Sequence, residues 1–79
     1  MDDNMEIQLS KVGIGQKVKL TGIEAGEELR SRLAALGMVP NVIITVISKG
    51  QPGPFVVSIK GSRIALGKGM TDKVMVEPV

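Results

Sequence analysis

Seventy-nine residues, 43% of them hydrophobic, leave room for one small domain with one core. The chain contains neither cysteine nor histidine, which excludes disulfides, thiolate metal sites and imidazole chemistry, so apolar packing alone must hold the fold. Ten basic residues against eight acidic ones leave a formal charge of +2, and Phe55 is the only aromatic. The signs alternate along the chain, so the dense cationic face and the stacking platforms that nucleic acid binding uses are missing.

The opening Met1 to Glu6 reads as a loose leader and is acidic where a secretory signal would be basic. No apolar run approaches a membrane span, and a cytoplasmic location is expected. Ile7 and Leu9 alternate with Gln8 as an edge strand, and Lys11 to Gly15 supplies a glycine-punctuated turn. From Gln16 the alternation is clean, with Val18 and Leu20 on one face and Lys17, Lys19 and Thr21 on the other. Gly22 marks a bulge before Ile23.

The one helix is expected over 27–36, where Leu29, Leu33 and Leu36 form an apolar stripe. Glu27 and Glu28 sit in its first turn, where the helix dipole favours carboxylates, and Glu28 precedes Arg32 by four residues. Gly37 ends the helix, and Met38 can fold back on its last turn. Val39-Pro40-Asn41 reads as a tight turn, because proline fixes one corner and asparagine tolerates positive φ.

Val42 to Ile47 is the strongest strand and is largely apolar on both faces. Gly50-Gln51-Pro52-Gly53-Pro54 forces a loop before Phe55, Val57 and Ile59 alternate with Val56, Ser58 and Lys60. After a turn at Gly61-Ser62, Ile64 and Leu66 continue the inward pattern. Gly67-Lys68-Gly69 then breaks it as a flexible loop, and Val74 and Val76 close the chain. Short strands with frequent turn signals predict a mainly β barrel of about five strands. Its core is expected to be Leu20, Leu33, Leu36, Ile44, Val46, Val57, Ile59, Leu66 and Val76.

Catalysis finds no support. Ser10, Ser31, Ser48, Ser58 and Ser62 have no visible base, and Gly13, Gly15 and Gly22 follow no phosphate-loop pattern. Ferrous iron favours imidazole and carboxylate ligands, and here only solvated carboxylates such as Glu24, Glu27, Glu28 and Asp72 remain. No enzyme, cofactor or metal site is expected.

The stretch Leu29-Arg30-Ser31-Arg32-Leu33-Ala34-Ala35-Leu36-Gly37-Met38-Val39-Pro40 resembles the FeoA family of small accessory proteins of bacterial ferrous iron uptake. So do Pro52-Gly53-Pro54, the strand Val57 to Gly61, and Ala65-Leu66, in the same order along the chain. Two departures are Asn41, where members usually carry glycine, and the Gly67-Lys68-Gly69 segment. The resemblance implies one SH3-like barrel over residues 1–79 with an inserted helix. It gives Leu33, Leu36, Gly37, Pro40, Pro54, Gly61, Ala65 and Leu66 structural roles. It also implies a partner, the cytoplasmic GTPase domain of the FeoB ferrous iron transporter, with contact to the membrane only through that transporter and none with nucleic acid. The alternative is a small KOW- or SH3-like nucleic-acid-binding module.

A barrel strand that is apolar on both sides exceeds what one core requires. Ile43, Ile47 and Val56 must be covered by the helix, by neighbouring segments or by a partner. In the last case they form a docking patch that Arg30, Arg32, Lys60 and Arg63 could frame.

Overall fold

The computed structural model describes residues 5–50 and 53–79, so most of the expected leader, and Gln51 and Pro52 of the expected loop, lie outside the described residues. Six strands run in the order β1 (Ile7–Gln8), β2 (Lys17–Ile23), β3 (Ile43–Lys49), β4 (Phe55–Ile59), β5 (Ser62–Leu66) and β6 (Val74–Pro78). Two helices interrupt them, α1 (Glu27–Ala35) and α2 (Lys68–Thr71), and a 3-10 turn spans Leu9–Lys11. The strands form one antiparallel sheet in the order β1-β6-β2-β3-β4-β5. The sixth strand is the two-residue β1, shorter than the Ile7-to-Leu9 alternation suggests because Leu9 turns inward and is fully buried.

Two irregularities let the sheet curl. The register slips between Leu20 and Gly22 against β6, leaving Thr21 as the extra residue beside the expected bulge. A second slip between Val46 and Ser48 against β4 inserts Ile47. Each extra residue bends its strand and increases its twist, which is how a short sheet wraps around one core. Val18, Leu20, Ile44, Val46, Val57, Val74 and Val76 point into that core from the curled sheet. Leu33 enters it from α1, and Leu9, Val12 and Met38 from the connections.

Leu36 does not belong to this core; it is 47% exposed. Its backbone (φ −90°, ψ 2°) has already left helical geometry at the C-cap, so the leucine stripe stops one turn early. Gly37 follows at φ +96°. The Gly37 N–H donates to the Ala34 carbonyl at 2.9 Å and the Met38 N–H to the Leu33 carbonyl at 3.0 Å. That pair of bonds is a Schellman ending, and it delivers Met38 into the core, 1% exposed, in the place expected for Leu36. A Cβ at Gly37 would meet Ile59 no closer than 3.7 Å, so space is not what demands glycine there. The left-handed backbone is. Gly37→Ala is expected to cost about 1–2 kcal/mol, read as a fall in the urea midpoint with an unchanged slope.

The Gly67-Lys68-Gly69 segment is not a loop but the start of α2. A four-residue helix with one glycine inside it and another at its N-cap has no propensity to form alone. It forms because Gly67 accepts from the Met70 and Thr71 N–H groups, because Met70 packs on the core, and because Thr71 is buried at 2% exposure.

Candidate functional site

The side of the sheet that faces away from the core carries the residues of interest. Strand pairing aligns Lys17 with Thr45, Thr45 with Ser58, and Ser58 with Arg63. A single cross-strand row therefore runs Lys17–Thr45–Ser58–Arg63, with a cation at each end and two half-buried hydroxyls between. Lys19 and Ile43 are paired beside it, and Ser48, Val56 and Ala65 form the row on its other side. Ile43 is 43% exposed, while Ile47 and Val56 are half-buried. Helix α1 does not cover this face, because its buried residue, Leu33, is spent on the barrel interior.

At one end the face deepens into an open groove of about 520 Å³. The turn at Val39–Val42 forms one bank and the Lys60–Gly61 turn the other, with Lys17, Ile43, Thr45 and Ser58 on the floor. None of the lining residues is a carboxylate. Both banks contain a non-glycine residue in the left-handed region, Asn41 at φ +74° and Lys60 at φ +51°. Asparagine is suited to that conformation, because its short polar side chain can hydrogen-bond locally; a lysine is not.

The expected partner-binding residues divide. Ile43, Ile47, Val56, Lys60 and Arg63 gather on or beside this face. Arg30 and Arg32 stand on the exposed side of α1, and Arg30 lines a separate depression of about 350 Å³ with Glu27, Ser31 and Thr21. A larger depression of about 990 Å³, lined by Ile14, Lys49, Phe55 and Asp72 among others, lies at the opposite end of β3 and β4. Of the residues given structural roles, Leu33 and Leu66 are buried, and Gly37 and Gly61 turn the chain at positive φ. Pro40, Pro54 and Ala65 are exposed, as Leu36 is.

Sequence reading missed Lys17, Lys19, Thr45 and Ser58 as members of the site. Their outward alternation was visible, but nothing in a sequence says that β2 pairs with β3 in the register that lines Lys17 up with Thr45 and Ser58. Among the described residues no group of three or more histidine, cysteine, aspartate or glutamate side chains is placed to hold a metal ion. Glu24, Glu27, Glu28 and Asp72 are all exposed.

A curled antiparallel sheet with a nine-residue helix inserted between β2 and β3 and an open outer face defines a small SH3-like domain. A zinc-complexed FeoA of Stenotrophomonas maltophilia, described as a prokaryotic SH3 domain protein, has the same fold at 24% identity. Its TM-score is 0.77, over 90% of this chain and 89% of that one. The sequence matches the FeoA domain over residues 7–78, and the chain belongs to the FeoA family. It is 40% identical over 63 residues to an Fe(2+) transport protein A of Methanocaldococcus jannaschii, covering 80% of this chain and 76% of that protein. It is also similar to the crystal structure of an iron uptake regulatory protein, FeoA, at 33% identity and a TM-score of 0.83, over 95% and 99% of the two chains. The family is one of ferrous iron transport. No helix among the described residues is long and apolar enough to cross a membrane.

Proposed function

We propose that this chain is a cytoplasmic, non-enzymatic adaptor of ferrous iron uptake that docks on the GTPase domain of the FeoB transporter through the outer face of β2–β5. The observation that carries the reading is an outer face left open by α1, on which exposed Ile43 and half-buried Ile47 and Val56 are set among Lys17, Lys19, Lys60 and Arg63. Apolar centres with a charged rim are the anatomy of protein interfaces, in which the centre supplies affinity and the rim sets encounter rate and specificity. Family membership supplies the pathway, and the face supplies the means of acting in it. Iron is the cargo of that pathway and needs no site on the adaptor.

The test is a calorimetric titration with the transporter's GTPase domain loaded with GDP or with a non-hydrolysable GTP analogue. Saturable one-to-one binding in at least one nucleotide state is expected. Arg63→Glu should slow association and flatten its salt dependence while leaving the complex detectable. Absence of binding in both nucleotide states would refute the adaptor reading.

A further inference from the structure

We infer that the groove between the Val39–Val42 and Lys60–Gly61 turns receives an extended acidic segment of the partner, its carboxylates between Lys17 and Lys60 and an apolar side chain on Ile43. The inference rests on the adaptor reading and adds the chemistry of what is recognised. Its first support is charge. Lys17 and Lys60 both line the groove, Arg63 closes the row that begins at Lys17, and no lining carboxylate neutralises them.

The second support is the backbone of Lys60. Ile59 to Ser62 is a two-residue hairpin connection with positive φ at both central residues, +51° at Lys60 and +86° at Gly61. Such turns favour asparagine-glycine, because a side chain with a full Cβ and no local hydrogen bond is disfavoured there. Lysine at the first position therefore holds a cation at the groove mouth against the preference of the turn. Strain of this kind points toward a function for the residue that bears it.

Two measurements on the same variants test this. Lys60→Asn should raise the thermal midpoint by about 2–6 °C, since it relieves the turn. It should also weaken an acidic ligand by about two- to fivefold, the range for one solvent-accessible charge pair. Lys17→Gln should weaken the ligand similarly without raising the midpoint. The probes are an eight-residue N-acetylated peptide alternating glutamate with valine, its lysine–valine counterpart, and the GTPase domain, each followed by amide chemical shifts. The acidic peptide and the GTPase domain should both move Asn41, Ile43, Thr45 and Ser58, and the basic peptide should not. Equal binding of the two peptides, or undiminished acidic-peptide binding by Lys60→Asn, would overturn the inference. GTPase-domain binding that leaves the groove resonances unmoved would overturn it and the docking face together, leaving an adaptor that binds through another surface. Acidic-peptide binding in the groove without any response to the GTPase domain would support the groove chemistry and sink the adaptor reading instead.

Discussion

Leu33→Ala is expected to destabilise the domain by about 2–5 kcal/mol, and Leu36→Ala, three residues on, by less than about 0.5 kcal/mol. Leu33 is fully buried and touches the core from the last turn of α1. Removing its side chain leaves a cavity between the helix and the sheet that a short, nine-residue helix pinned by its Schellman ending cannot collapse to fill. Leu36 has nearly half its surface in water already, so truncation there gives up little burial and opens nothing. Small domains have few kcal/mol to lose, and the Leu33 variant should be partly unfolded at modest urea concentrations. Urea midpoints of the two variants at equal slope decide the matter. A Leu36→Ala protein as destabilised as Leu33→Ala would mean that α1 is rotated about its axis relative to the barrel.

Ile43→Asp is expected to leave the melting curve nearly unchanged and to weaken binding of the FeoB GTPase domain by about 2 kcal/mol or more, roughly thirty-fold. The position tolerates a carboxylate in the free protein because it is exposed and lies opposite Lys19, which can pair with it across the strands. In the complex the same carboxylate would be buried in the apolar centre of the interface, beside a surface inferred to receive other carboxylates. Ile47→Asp is the less clean variant. Ile47 is the half-buried extra residue of the β3 bulge, so stability should fall along with binding. Thermal melts and calorimetry on the Ile43 variant separate the two effects. Full-strength binding by a folded Ile43→Asp protein would remove this residue from the interface.

The sequence made the barrel legible because its signals were local. Alternation in Lys17 to Leu20 and in Phe55 to Ile59, the left-handed positions at Gly37 and Asn41, and the irregularity at Gly22 all depend on residues close together in the chain. The errors arose where tertiary packing outweighed local preference. Helical spacing put Leu36 in the core, yet the chain had already left the helix there and buried Met38 instead. Glycines at 67 and 69 argued against α2, which burial of Met70 and Thr71 nevertheless holds in place. The apolar half of the candidate site could be read from one doubly apolar strand. Its polar half could not, because the row Lys17–Thr45–Ser58–Arg63 exists only once four strands are in register.

The docking face is tested most directly by amide chemical-shift mapping of the isotopically labelled domain on addition of the FeoB GTPase domain. If the outer face of β2–β5 is the interface, the perturbed amides will cluster at Lys19, Ile43, Thr45, Val56, Ser58 and Lys60. Those of Arg30, Ser31 and Arg32 on the exposed side of α1 should then be silent. Perturbations confined to α1, or to Ile14 and Lys49 at the far end of the barrel, would contradict the assignment of this face.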